Sequence, residues 1–140
     1  MANFTYFIRE RVKLNGVERG TNVEVKIPGI NYSDNRVMTI PSGSITEIIN
    51  VDNLPGAGTF VSSSIKYARI TNHATSSINL EVSGSTSQMS FLITGSGSFM
   101  FSTEFVVPLF NEFVYNDLRA IKATALTGGG ATLSYFIALT

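Results

Sequence analysis

A period of two runs through most of this chain. Phe4, Tyr6, Ile8, Val12 and Leu14 alternate with Thr5, Phe7, Arg9, Arg11 and Lys13, and the run closes at Asn15-Gly16. Alternation of this kind puts one set of side chains on each face of a β-strand. Asn-Gly readily takes the positive φ angles of a tight hairpin turn. Further strands are expected at 22–28, 36–40, 44–51, 64–71, 77–83, 89–94, 98–103, 119–126 and 131–139. Between them stand Pro28-Gly29, Pro41-Ser42-Gly43, Pro55-Gly56-Ala57-Gly58, Gly95-Ser96-Gly97 and Gly128-Gly129-Gly130. About ten short strands with such breakers predict an all-β chain, a single β-sandwich of jelly-roll or similar Greek-key type. Only 108–119 has apolar residues at helical spacing, enough for one helical turn.

The chain has 140 residues, enough for one domain that buries roughly two-thirds of its unfolded surface. We read 1–140 as one sandwich, with 1–28 as an N-terminal arm or hairpin. Hydrophobic residues make up 44% and charged residues 14%, so the sequence can fold around a core. Its polarity comes from 16 Ser, 14 Thr and 11 Asn, residues suited to turns and strand surfaces rather than helix interiors.

Ten basic and ten acidic side chains cancel. This argues against a nucleic-acid partner, whose binding rests on neutralising phosphates, and suits a protein that works inside an assembly. Arg9, Glu10, Arg11 and Lys13 interrupt the apolar core a secretory signal would need. No apolar run approaches the ~20 residues of a membrane helix, so no membrane partner is expected. The absence of cysteine excludes disulfides and thiolate chemistry.

Candidate chemistry is sparse. His73 is the sole histidine and sits in Thr71-Asn72-His73-Ala74-Thr75-Ser76-Ser77, between the strands ending in Ile70 and beginning at Ile78. A zinc site needs three or more ligands, and the first acid downstream is Glu81. No G-x-S-x-G elbow is present. His73 is therefore expected in a solvent-facing turn, dispensable. Thr94-Gly95-Ser96-Gly97-Ser98 is followed by Phe99, Met100 and Phe101 rather than by a phosphate-binding Lys, and reads as a hairpin turn. Asn31, Ser33, Asp34 and Asn35 have calcium-loop spacing with a single charge, and read as a polar loop. No catalytic residue, metal or cofactor is expected. The segments 119–126 and 131–139 read as a C-terminal hairpin, with Leu133, Tyr135, Ile137 and Leu139 on its apolar face.

One pattern stands above this background. Arg9, Arg11 and Lys13, at i, i+2 and i+4, would form a cationic row of roughly 13 Å on one strand face. It would either protect an edge strand from unwanted pairing or meet an acidic partner surface.

The run from Ile65 to Thr140 contains Arg-Ile-Thr-Asn (69–72), the strand Ile78 to Val82, Gly-Ser-Phe (97–99), Ile-Lys-Ala-Thr-Ala-Leu (121–126) and Leu-Ser-Tyr-Phe-Ile-Ala-Leu (133–139). In these it resembles the β-sandwich head-decoration, or cement, proteins and related small virion proteins of tailed bacteriophages. It covers a little over half the chain. The resemblance implies a non-enzymatic virion protein, assembled in the host cytoplasm, that binds the major capsid protein or other virion proteins. It further implies a homo-oligomer, with a trimer favoured, clamping neighbouring capsomers. Similar patterns occur in tail, fibre and portal-associated proteins. Two further readings are a glycan-binding jelly roll stacking sugars on Tyr32, Tyr67 or Tyr115, and an enzyme with dispersed chemistry.

Overall fold

The computed structural model describes residues 2–50, 65–84, 88–102, 119–126 and 128–139. These residues form twelve strands: β1 (Ala2–Arg9), β2 (Val12–Leu14), β3 (Val17–Arg19), β4 (Asn22–Ile30), β5 (Tyr32–Ile40), β6 (Thr46–Asn50), β7 (Ile65–Asn72), β8 (Ile78–Ser83), β9 (Gln88–Ile93), β10 (Ser98–Ser102), β11 (Ala120–Ala125) and β12 (Ala131–Leu139). The expected helical turn at 108–119 lies, but for Arg119, outside the described residues, as do Pro55-Gly56-Ala57-Gly58 and Tyr115.

Eight strands make two antiparallel sheets, ordered β10-β7-β12-β5 and β6-β11-β8-β9. From β5 onward the chain changes sheet at every step except β8 to β9. This is the winding of a jelly-roll sandwich. The all-β sandwich expected from the alternation is thus present, with two corrections. The described residues form twelve strands rather than about ten, because the N-terminal region contributes four. The expected C-terminal hairpin is an arch, since β11 pairs with β6 and β8 while β12 pairs with β5 and β7 in the opposite sheet. The turn at Gly95-Ser96-Gly97 likewise joins β9 to β10 across the sandwich.

The period-two pattern explains the core. Ile78, Leu80 and Val82 of β8 and Ile121, Ala123 and Ala125 of β11 are buried, while their alternates are half-exposed. They face Ala68, Ile70, Leu133, Tyr135, Ile137 and Leu139 across the interior. At its margin Phe91 and Phe99 pack with ring centroids 5.1 Å apart.

Residues 2–30 form a long antiparallel hairpin. Its register is constant from Phe4↔Ile27 through Arg9↔Asn22 and Val12↔Arg19 to Leu14↔Val17. The ladder thins at Glu10 and Arg11, where the Glu10 N–H donates to the Thr21 carbonyl at 2.9 Å. The expected single strand 4–14 is accordingly split into β1 and β2 without a change of face. Asn15 (φ 51°) and Gly16 (φ 81°) make the turn that their sequence predicts.

The base of this hairpin lies on the outer face of the β10-β7-β12-β5 sheet. Phe4 stacks on Phe136 of β12 (5.2 Å) and meets Tyr67 of β7 (4.8 Å). Tyr6 touches Tyr67 (4.8 Å), and its hydroxyl donates to Ser102 Oγ of β10 at 2.8 Å. The contacts therefore step from β12 to β7 to β10, so the hairpin crosses the sheet. Ile27, Ile30 and Ala138 complete this second buried cluster.

Candidate functional site

The hairpin beyond its base is the candidate site. Every residue from 9 to 24 is exposed. Constant register and a two-residue period give this segment two distinct faces. The outer face carries Phe7, Arg9, Arg11, Lys13, Glu18 and Glu24. The inner face continues from Phe4, Tyr6 and Ile8 through Glu10, Val12 and Leu14, with Val17, Arg19, Thr21 and Val23 opposite them, so the Glu10–Thr21 pair interrupts its apolar side chains.

The structure places Arg9 at the end of β1, Arg11 at the thinned ladder and Lys13 in β2, all on the outer face. Arg11 is ion-paired with Glu18, the cross-strand neighbour of Lys13. Glu24 and Lys26 pair at 3.2 Å on the same face. Exposed pairs of this kind are worth about 0–1 kcal/mol each. Among the described residues Arg9 and Lys13 make no ion pair. The row is thus present as a surface, one of its three charges compensated within the hairpin.

The other sequence candidates separate. His73 is exposed; its N–H donates to the Thr132 carbonyl at 2.8 Å, and Nε2 lies 2.8 Å from Ser134 Oγ. This Ser–His contact, made across 61 positions, was not visible in the sequence. It bonds to no carboxylate, and among the described residues no group of three metal-ligating side chains occurs. On an open sheet face it is a surface hydrogen bond. His73→Ala is expected to change unfolding free energy by no more than ~0.5 kcal/mol in a denaturant titration. Loss of any bound metal or activity in that variant would contradict this placement.

Asn31, Ser33, Asp34 and Asn35 do not form the expected loop, because β5 already begins at Tyr32. Strand alternation sends Ser33 and Asn35 to one face and Asp34 to the other, so their oxygens cannot converge. Asp34 instead accepts from the Tyr135 hydroxyl (2.9 Å) and from Arg36 Nε (3.0 Å). Burial, reinforced by this bond, pushes the Tyr135 phenol well above its usual range. The bond ties β12 to β5 at the margin of the sandwich.

The glycan reading loses a platform. Tyr67 points out of its sheet as expected, but the N-terminal hairpin covers it and leaves it 5% exposed. Burial accordingly raises its phenol pKa. Tyr32 is half-buried against the core.

The fold and this surface together define a jelly-roll sandwich bearing a projecting N-terminal hairpin. No protein-family model and no curated protein sequence matches the chain. Among solved structures it is similar to one described as the crystal structure of PirA, with 10% identity and a TM-score of 0.43, over 77% of this chain and 94% of that one.

Proposed function

We propose that this protein is a non-enzymatic structural component of a virion that decorates a phage capsid and binds between capsomers as a homo-oligomer. The observation that carries the reading is the hairpin itself. A rigid sandwich holds a ladder of constant register by an aromatic base, and presents its distal half to solvent on every side with a cationic row on the outer face. A segment so built serves attachment rather than catalysis, and main-chain ladders and exposed edges are common means of joining proteins. The resemblance of residues 65–140 to cement proteins supports the same reading. Capsids offer three-fold positions between capsomers, which favours a trimer.

In this reading the outer face of the hairpin meets acidic groups of the major capsid protein. Replacing Arg9, Arg11 and Lys13 together with Ser is expected to weaken attachment at least about tenfold while leaving the melting transition in place. Wild-type attachment is expected to decline as salt rises, since exposed charges are screened over ~10 Å at 0.1 M. Co-sedimentation with undecorated capsids across a salt series checks both. A triple variant that binds as well as wild type at every salt concentration defeats the docking role of the row.

A further inference from the structure

We infer that the open edge of β5 pairs with β5 of a second copy, antiparallel about a two-fold axis at Asn35, so that two β10-β7-β12-β5 sheets become one. This contact goes beyond the attachment reading above and does not depend on what the hairpin binds.

Three observations lead there. First, the edge is open and unprotected. β5 pairs with β12 over nine residues in a single register, and among the described residues no strand takes its other side. It is the longest described edge strand of the two sheets, against five residues in β6 and β10 and six in β9. Edges are usually kept apart by shortness, bulges, Pro or Lys, and β5 has none of these. Ser33, Asn35, Arg36, Val37 and Thr39 along it are exposed, Val37 at 72%. The N-terminal hairpin steps from β12 to β7 and β10, away from this edge.

Second, the edge carries an ion pair with half its bonding capacity unused. Tyr32, Asp34, Arg36 and Met38 share one strand face, the face on which Tyr135 stands opposite Arg36 in β12. Asp34 Oδ2 accepts both from the Tyr135 hydroxyl and from Arg36 Nε. Its Oδ1 and the two Nη groups of Arg36 have no partner among the described residues, and the Arg36 side chain is 49% exposed. The unused atoms suit a second guanidinium and a second carboxylate.

Third, the strand is complementary to itself at one register. Antiparallel pairing centred on Asn35 puts Asp34 opposite Arg36 of the second copy and, by the two-fold, Arg36 opposite Asp34. Tyr32 and Met38 meet in the same way on that face, and Ser33 and Val37 on the other. Centring on Asp34 or on Arg36 sets like charges face to face, which destabilises a sheet. A centre between two residues would set groups that bond across the edge against groups that point away from it. None of the other edge strands, β6, β9 or β10, carries charges of both signs. A two-fold contact of this kind is isologous and closed. It makes a dimer by itself, and joins trimers in pairs where another interface builds a trimer.

The chain contains no cysteine, which makes a crosslinking test clean. Ser33→Cys protein mixed with Val37→Cys protein is expected to give a disulfide-linked heterodimer at several-fold higher yield than either protein alone. Opposed residues have Cα atoms about 4.5–5.5 Å apart, within disulfide range, whereas two copies of either single variant hold their cysteines about 14 Å apart. Light scattering through a dilution series is expected to find an even number of wild-type copies at the concentrated end. Arg36→Glu, which sets a Glu against Asp34 twice, is expected to raise the dissociation constant at least about tenfold with wild-type circular dichroism. A wild-type chain that stays monomeric or holds an odd number of copies overturns the inference. So does an Arg36→Glu chain that associates as tightly as wild type, or a cysteine pair that crosslinks no better mixed than alone. Should Arg36→Glu lose its circular dichroism, the cysteine pair, on the strand face away from the ion pair, decides by itself.

Discussion

Ending the chain after Gly130 is expected to abolish folding. The deletion removes β12, which is central in its sheet and pairs along its length with β5 on one side and β7 on the other. Leu133, Tyr135, Ile137 and Leu139 are each at most 5% exposed and face the interior, while Ala138 lies beneath the N-terminal hairpin. Burying a large apolar side chain stabilises by about 1.5–3 kcal/mol. Four of them amount to roughly 6–12 kcal/mol, the same size as the ~5–15 kcal/mol of a whole domain. Backbone pairing is lost as well, leaving β5 and β7 as new unpaired edges that invite aggregation. The truncated protein should be insoluble, or soluble without a cooperative transition by circular dichroism. A truncated form that melts at the wild-type temperature would show that β12 is not part of the core.

Asn72→Ala is expected to cost about 3 kcal/mol, several times the effect at the adjacent His73. Asn72 is fully buried at the end of β7. Its amide donates to the carbonyls of Ser76 (2.7 Å), Thr94 (3.2 Å) and Ile93 (3.4 Å), and its Oδ1 accepts from the Ala74 N–H at 3.0 Å. One side chain thus holds two arches together, the one after β7 and the one between β9 and β10. They meet so closely that a Cβ at Gly95 would stand 2.2 Å from the Thr75 carbonyl oxygen. Truncation at Asn72 strands several buried polar groups at once, and each one left without a partner costs about 1–3 kcal/mol. A urea titration reads the difference directly. A loss below ~0.5 kcal/mol would mean that the arches hold without the clamp.

These two sites also show how far the sequence could be read. The polar run around His73 was legible as a turn, because short hydroxyl and amide side chains satisfy a reversing backbone. Which of its residues matters was not legible. Asn72 and His73 are neighbours of similar polarity, but strand alternation carries Asn72 inward, while His73 stays on the surface beside Ser134. The cationic row was legible from spacing alone, and the constant register of the hairpin keeps its three residues on one face. The compensation of Arg11 by Glu18 was not, since it depends on the strand returning from the Asn15-Gly16 turn.

What the amino-acid sequence determined by itself is local: the period of two, the breakers, and therefore an all-β sandwich whose buried residues alternate along β8, β11 and β12. Tertiary structure alone decided which strands became neighbours. A glycine turn shows that the chain reverses, but not whether it returns within a sheet, as at Asn15-Gly16, or crosses to the other sheet, as at Gly128-Gly129-Gly130. The difference lies in long-range burial, because β12 gains two pairing partners and a filled interior only by joining β5 and β7. The same holds for the N-terminal stripe. Val12 and Leu14 have the alternation of core residues, and only the crossing of the hairpin over β12, β7 and β10 leaves them without a core to enter.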